Sequence, residues 1–282
     1  MLFAGVAITM SVLIGTIWTG SRRQQRSLSL QVDRLRATAT SQGVVVTAAG
    51  MQGLDAVPPP VARYLRWALG TTTHIHELRI AQVGTLRTGV HTDRWMPFDA
   101  EHIVVPPGTG FVWNARVGVG PLLHIRVRDA LINGRGSGHV SLLSAFTMAA
   151  HGDTPEIDSG SLHRYLAEAV WYPTALLPSA KLRWTEIDAT RAIVTLTEHD
   201  VSVSLEFRFA TTGEVTGIYT PGRWGSFPDG YRRVPWQGHF RNYREWDGVI
   251  VPSEGDVAWY IDSQWQPVWK ARVTSFRISK ER

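Results

Sequence analysis

The chain has 282 residues, of which 44% are hydrophobic and 19% are charged, and its formal net charge is +5. This apolar fraction is ordinary for a folded protein and excludes general disorder. The sequence contains no cysteine, which excludes disulfides, cysteine-ligated zinc, iron–sulfur clusters, a thiol nucleophile and a lipidated cysteine. The unusual feature is tryptophan, which occurs twelve times.

The first 20 residues have the pattern of a membrane-spanning helix. They carry no ionisable side chain and include Ile8, Val12 and Ile17. About 20 such residues cross the hydrocarbon core as a helix. A cleaved signal peptide is the alternative, but no basic residue precedes the apolar run, and the first small-x-small site lies beyond five arginines. We therefore predict a transmembrane anchor at residues 1–20.

Residues 21–54 are predicted to form a basic juxtamembrane connector that is partly helical. Residues 21–40 hold five arginines and one aspartate, a net charge of +4, so the rest of the chain carries only +1. Such a patch favours anionic lipid headgroups over nucleic acid. The predicted partners are therefore membrane lipids. We predict a single-pass protein of the cell membrane, and the positive-inside rule favours a cytoplasmic domain.

Residues 55–282 are predicted to form one β-rich domain. Helices are expected at residues 59–69, after Pro58, and at residues 156–172, before Pro173. Between them, and from residue 182 to residue 278, apolar residues alternate with polar ones, most clearly at residues 201–209. Strands that follow strands favour an antiparallel sheet. The predicted class is a β-dominated α+β fold, with a strongly curved half-barrel sheet closed by helices and an N-terminal transmembrane helix.

Two patterns leave alternatives open. Asp129 falls on the apolar face of its strand, where an unpaired carboxylate is costly. Either it accepts hydrogen bonds at a strand end, or it faces a polar spot inside a cavity. Arg164 and Glu168 lie four residues apart on the predicted helix. They form either a modest surface pair or part of a pocket mouth.

Eight of the twelve tryptophans lie between residues 171 and 269. They form either a thick sheet core or the wall of an apolar cavity for a lipid-like ligand. No catalytic residue, metal site or cofactor is assigned. The candidate ligand-binding residues are Trp113, Asp129, Arg164, Glu168, Trp171, Tyr172, Trp184, Trp236, Tyr243 and Trp259.

A distinctive segment reads Trp-Tyr-Pro-Thr-Ala-Leu-Leu-Pro at residues 171–178. Together with Trp184, the strand at residues 207–209 and Trp236, it resembles an uncharacterised bacterial family of unknown function that shares this signature. The resemblance covers about residues 55–275 and implies no catalytic residue. The strand order also resembles the lipoprotein-carrier (LolA-like) fold, a curved antiparallel sheet around an apolar cavity, and that likeness implies lipid binding.

The leading hypothesis is a membrane-anchored protein that binds or carries an apolar, lipid-like ligand. One alternative is a hydrolase-like enzyme acting on a membrane-derived substrate, with Asp129 or Glu168 beside a histidine. The other is a membrane-tethered interaction scaffold with an exposed aromatic patch. The direction in which Trp236, Trp246 and Trp259 point separates these two alternatives from each other.

Overall fold

The structure, a computed structural model, describes residues 2–39, 44–46, 52–70, 73–87, 89–90, 92–120 and 123–279. Side chains are described throughout these ranges except at residues 2–14, 44–46, 52 and 73–74. The helices are α1 (Leu2–Ala37), α2 (Pro59–Leu69) and α3 (Pro155–Glu168). The strands are β1 (Val44–Val46), β2 (Thr73–Ile75), β3 (Glu77–Leu86), β4 (Met96–Val104), β5 (Phe111–Gly118), β6 (His124–Ile132), β7 (Arg135–Leu142), β8 (Phe146–Gly152), β9 (Leu182–Asp188), β10 (Arg191–Glu198), β11 (Val201–Phe209), β12 (Val215–Phe227), β13 (Gly230–Trp246), β14 (Val249–Ile261) and β15 (Gln264–Ser279).

Within these residues, thirteen strands form one curled antiparallel sheet in the order β8-β7-β6-β5-β4-β3-β15-β14-β13-β12-β11-β10-β9. Strands adjacent in sequence pair as hairpins, and the sheet is completed by the pairing of β3 with β15. It therefore consists of two meanders, β3–β8 and β9–β15, which join along that pair. Bulges in β12, β14 and β15 add bending and twist. The predicted β-dominated α+β half-barrel is confirmed.

The inner face of the sheet is covered by two helices. α2 begins at Pro59, where a missing backbone N–H costs nothing, as the sequence predicts. Thr154, the residue before α3, caps the helix: its hydroxyl accepts a hydrogen bond from the Ile157 backbone N–H. The predicted second helix ends earlier than expected, at Glu168, and the chain continues as 3-10 turns at Ala169–Trp171 and Pro173–Leu176.

One end of the inner face is a solid aromatic core, which we call the packed end. α2 and the turn at Pro173–Leu176 cover it. Its principal side chains are Tyr64, Trp184, Phe207 and Phe209, with exposed fractions between 0% and 9%. The rings meet at centroid distances of 5.3 to 6.5 Å, so no large space remains between them.

The N-terminal helix differs from the prediction. α1 runs without a break from Leu2 to Ala37, so residue 20 is not a helix boundary. Among the residues that the structure describes, no helix is long and apolar enough to cross a membrane. The transmembrane helix predicted at residues 1–20 is therefore not found, although the side chains of residues 1–14, most of that segment, lie outside the described part.

The second half of α1 is docked on the sheet rather than forming a loose connector. Val32 and Leu35 are buried in a small apolar cluster with residues of β4, β5 and β6 on the outer face. Arg128 of β6 donates hydrogen bonds to the Gln24 carbonyl oxygen at 2.9 Å and to the Ser27 hydroxyl at 3.1 Å. This docking fixes the direction in which the N-terminal segment leaves the domain.

Candidate functional site

Between α3 and the inner face of the sheet lies a cavity of about 870 Å³. α3 packs against β6, β7, β11 and β12, and the inner faces of β3 and β15 form the opposite wall. Ile125 and Val127 come from β6, whereas Val257 and Trp269 come from β14 and β15. Cavities that bind small molecules measure roughly 300–1,000 Å³. The space is therefore large enough for a ligand of ordinary size.

Aromatic rings held by their own contacts keep this cavity open. The Trp171 indole N–H donates to the Pro252 carbonyl oxygen at 2.8 Å, and its ring meets Phe240 and Trp269 edge-on. The Trp113 indole N–H donates to Oε1 of Gln82 at 3.0 Å. Since these hydrogen bonds fix the indoles in the wall, the rings do not turn inward and fill the space.

One wall carries an ionic cluster formed by Asp129, Arg164 and Glu168. Arg164 Nη1 lies 2.6 Å from Asp129 Oδ2, and Arg164 Nε lies 2.9 Å from Glu168 Oε1. Burial raises the pKa of Asp129, against the attraction of Arg164. Burial lowers the pKa of Arg164, but the two carboxylates outweigh it and raise that pKa overall. Arg164 therefore stays charged, and its charge is already balanced by neighbouring carboxylates.

The structure shows where Asp129 and the Arg164–Glu168 pair lie, for each of which the sequence leaves two alternatives open. Asp129 does not end a strand; it lies within β6 and faces the cavity, with a side chain 37% exposed to that space. Arg164 and Glu168 line the cavity instead of forming a surface pair, and their side chains are only 16% and 12% exposed. The helix pair and the strand residue thus meet in one site.

A histidine lies behind this cluster, as the enzyme alternative requires. His102 Nδ1 lies 3.4 Å from Glu168 Oε2. However, the His102 side chain is fully buried, stacks on Phe111 at 5.4 Å and does not line the cavity. Burial lowers its pKa to about 4, against the attraction of Glu168. The ring is therefore neutral at pH 7 and does not touch a molecule in the cavity in this conformation.

A second arginine, Arg223 of β12, also lines the cavity. Its Nε and Nη2 donate to the Gly160 carbonyl oxygen of α3 at 3.2 and 3.0 Å. Its guanidinium carbon lies 4.5 Å from the ring centroid of Trp236 and 4.9 Å from that of Trp259. Burial lowers the pKa of Arg223 to about 10, and the nearby Arg164 charge adds to this effect. Arg223 nevertheless remains charged at pH 7.

A smaller pocket of about 240 Å³ lies beside the cavity and shares part of its wall. Its other lining residues include the polar side chains of Ser137, Ser161 and His151. The residues common to both spaces are Asp129, Arg164, Arg223, Ser226 and Trp259. The charged groups thus stand where a large, mostly apolar space meets a small, more polar one.

Seven of the ten candidate residues line the cavity, and three do not. The seven are Trp113, Asp129, Arg164, Glu168, Trp171, Trp236 and Trp259. Tyr172 is buried, and its hydroxyl donates to the Tyr165 carbonyl oxygen at 2.7 Å. Trp184 belongs to the packed end, and Tyr243 donates from its hydroxyl to the Val215 carbonyl oxygen at 2.8 Å. These three residues support the fold.

The sequence missed Arg223 and Trp269 as candidates. Arg223 follows Pro221 and Gly222, where a bulge in β12 shifts the register, so simple alternation does not predict which way its side chain points. Trp269 lies in a predicted strand, as do the other strand tryptophans. The sequence pattern does not distinguish it from Trp265 of the same strand, which is 37% exposed.

The three tryptophans named for the scaffold alternative are buried or half-buried. Trp236 is 3% exposed and lines the cavity, as does Trp259. Trp246 is half-buried against Phe276. These rings do not form the exposed aromatic patch that the scaffold alternative requires. In the described part of the chain, no group of three or more histidine, cysteine, aspartate or glutamate residues is arranged to hold a metal ion.

Comparison with protein families gives one match, over residues 55–277, to a family of unknown function, DUF6920. The chain belongs to this family. The match confirms the resemblance to a family of unknown function that the sequence segments indicate. No curated protein matches the sequence.

Among solved structures, the chain is similar to a LolA superfamily protein from Nitrosomonas europaea, with 10% identity and a TM-score of 0.38 over 84% of this chain and 94% of that one. It is also similar to a putative outer membrane lipoprotein-sorting protein domain from Vibrio parahaemolyticus, with 9% identity and a TM-score of 0.39 over 82% and 93% of the two chains. Likenesses this low do not bear on the function of the DUF6920 chain.

Proposed function

We propose that this protein binds an apolar, lipid-like ligand in its cavity and holds or carries it beside a membrane. The supporting observation is the cavity itself: about 870 Å³, lined largely by aliphatic and aromatic side chains that are fixed in the wall. Water in such a space gains few hydrogen bonds, and each methylene group moved into it from water contributes about 0.8 kcal/mol. A long hydrocarbon chain therefore suits the site.

The first test is native mass spectrometry of the purified full chain. Lipid that co-purifies and dissociates only on activation supports the proposal. Val127→Trp places a large ring into the cavity from β6 and is expected to reduce the bound lipid to background. The matched control, Ser204→Trp, adds the same ring on the exposed face of β11 and should leave occupancy unchanged. A lipid-free wild-type protein, or equal occupancy in both variants, contradicts ligand binding.

Attachment to a membrane is the second part of the proposal. Trp18 is 56% exposed, and the Arg22 guanidinium carbon lies 4.0 Å from its ring centroid. Arg23 and Arg26 are exposed on the same helix. An amphipathic ring beside several arginines is typical of a membrane interface with anionic lipids. Because α1 is docked on the sheet, this contact would hold the whole domain close to the bilayer.

Membrane attachment is tested by flotation of the full chain with vesicles. We expect co-flotation with vesicles that contain anionic phosphatidylglycerol. The triple variant Arg22→Gln, Arg23→Gln and Arg26→Gln should weaken it, because each arginine near an anionic surface contributes about 1 kcal/mol. A triple variant that floats like the wild type shows that these arginines do not contribute.

A further inference from the structure

We infer that the ligand is an amphiphile with a single anionic head, and that the Arg223 guanidinium binds this oxyanion at the junction between the cavity and the small pocket. This inference rests on the proposed function and specifies the ligand class. It follows from a difference between the partners of the two half-buried arginines that line the cavity, and from the position of Arg223 between a large apolar space and a small polar one.

The two arginines differ in their partners. Arg164 forms ion pairs with both Asp129 and Glu168. Among the described residues, Arg223 forms no ion pair, and its only hydrogen-bond acceptor is the neutral Gly160 carbonyl oxygen, which takes both Nε and Nη2. Its Nη1 donates to no described group. A charge held out of bulk water without a counter-ion is costly, and an arriving oxyanion would remove that cost.

The charged residues of the lining restrict where an anion binds. The charged residues that line the cavity are three arginines and two carboxylates: Arg87, Arg164, Arg223, Asp129 and Glu168. With both carboxylates ionised, these five groups carry one net positive charge, and the small pocket adds one carboxylate, Glu156. An anion is therefore held by its contact with Arg223 and not by an excess of positive charge in the lining. Arg87 is a poor site for that anion, because its guanidinium already donates to the carbonyl oxygens of Val90, Thr92 and Pro267.

The flanking rings define the approach of the head. Trp236 and Trp259 lie within 5 Å of the Arg223 guanidinium carbon, measured to their ring centroids. The two ring centroids are 6.2 Å apart, so the rings lie on neighbouring sides of the guanidinium, and an oxyanion approaches it from the remaining sides, along its N–H groups. The guanidinium lies at the junction with the small pocket, whose polar lining residues include Ser137, Ser161 and Glu156. The head therefore lies at the junction while the hydrocarbon chain occupies the large cavity.

The test compares one hydrocarbon chain with and without an anionic head. The full chain is titrated with oleate, with uncharged methyl oleate and with acetate, and binding is followed by calorimetry. We expect oleate to bind about tenfold more tightly than methyl oleate, the effect of one hydrogen bond to a charged group. Acetate should bind far more weakly than oleate, because it lacks the chain. Acetate that binds as tightly as oleate would instead identify a free-anion site and overturn the amphiphile.

Variants separate anion binding from a purely structural role. Arg223→Met keeps length but removes the charge, so it should abolish the preference for oleate over methyl oleate. Arg223→Lys should retain part of the preference. Arg208→Met, which removes an arginine stacked near Tyr219 but remote from the cavity, is the matched control. Circular dichroism melting verifies that each variant folds.

The results of these titrations distinguish failure of the anionic head from failure of apolar ligand binding. Equal wild-type affinity for oleate and methyl oleate overturns the anionic head but leaves apolar binding in place. A loss of both affinities in a folded Arg223→Met variant assigns Arg223 a structural role and also overturns the inference. If wild-type protein binds neither oleate nor methyl oleate, the proposed function itself fails.

Discussion

The packed end and the cavity are built from the same kind of sequence and differ in what covers them. Both present aromatic and branched aliphatic residues on the inner face of one sheet. At the packed end, α2 and the turn at Pro173–Leu176 lie directly on the strands, and the Trp184 indole N–H donates to the Leu176 carbonyl oxygen at 3.0 Å.

Over the cavity, α3 covers only one wall, and that wall carries charge. Arg164 and Glu168 project from α3 into the cavity, and Asp129 faces them from β6. A helix that presents an ion pair cannot pack as closely on an apolar sheet as one that presents only aliphatic groups. The comparison shows that the hollow region lies where charged residues of the covering helix and of the strands β6 and β12 face the inner space.

The largest expected effect comes from removing the cation of the ionic cluster. Arg164→Met leaves the Asp129 and Glu168 carboxylates without their partner, and should lower the free energy of unfolding by about 3–5 kcal/mol. Urea denaturation at pH 7 measures it. Arg208→Met, at an exposed pair with Glu206, should cost no more than about 1 kcal/mol. Similar values for both variants would contradict a buried cluster.

The next largest effect is expected from truncating an aromatic side chain at the packed end. Phe207 is fully buried against Trp184. Phe207→Ala should cost about 3–4 kcal/mol, because neighbouring rings cannot collapse into the space. The unfolding midpoint in urea should fall without a change in its slope. A cost below about 1 kcal/mol would show that this end is as loosely filled as the cavity.

Acid should destabilise the protein through two buried histidines. Burial lowers the pKa values of His102 and His163 to about 4, from 6.5. Between these values the unfolded chain binds protons that the folded chain does not, so stability falls as pH decreases from about 7 towards 4. Between pH 7.5 and 5.0 each histidine should contribute a loss of about 2 kcal/mol.

The variant His102→Phe isolates one of these contributions. It places a ring of similar size against Phe111 and has no proton site. Its unfolding free energy should fall less steeply than that of the wild type between pH 7.5 and 5.0. An unchanged pH dependence would show that the pKa of His102 is the same in the folded and the unfolded chain, and so that its ring is not buried as the structure has it.

The smallest expected effect is the difference in unfolding free energy between two valine truncations, one in each region. Val194 is fully buried at the packed end, and Val257 lines the cavity. Val194→Ala should cost about 2 kcal/mol, whereas Val257→Ala should cost about 1 kcal/mol or less, because it enlarges an existing space. If the cavity binds oleate, added oleate should increase the difference between the costs of the two substitutions. Equal costs, with and without oleate, would remove the distinction between the regions.

Much of the fold could be predicted from local patterns. The alternation at residues 201–209 gave β11, and Pro58 and Pro173 marked the start of α2 and the approach to the end of α3. The docking of α1 was missed, although Leu28, Val32 and Leu35 follow the arginines at helical spacing. A basic cluster at the start of that segment favours a connector, although an apolar stripe follows it.

The site was only partly predictable for a physical reason. Alternation predicts which side chains face inward, but not whether a helix fills the space in front of them. Trp184 and Trp236 therefore gave the same signal, although one is packed and the other lines the cavity. Arg223 could not be placed, because the bulge in β12 breaks the alternation just before it. Three-dimensional pairing, not local sequence, brings it beside Trp259.

The pairing of β3 with β15 has a consequence for how the protein is made. The cavity wall is joined by contacts between residues far apart in the chain, such as the hydrogen bond from Arg87 to the Pro267 carbonyl oxygen, which spans 180 positions. During synthesis, the edge of β3 has no partner until β15 leaves the ribosome, and such non-local pairing is slow. The newborn chain thus exposes an unprotected strand edge, and the cavity wall is complete only after translation of β15.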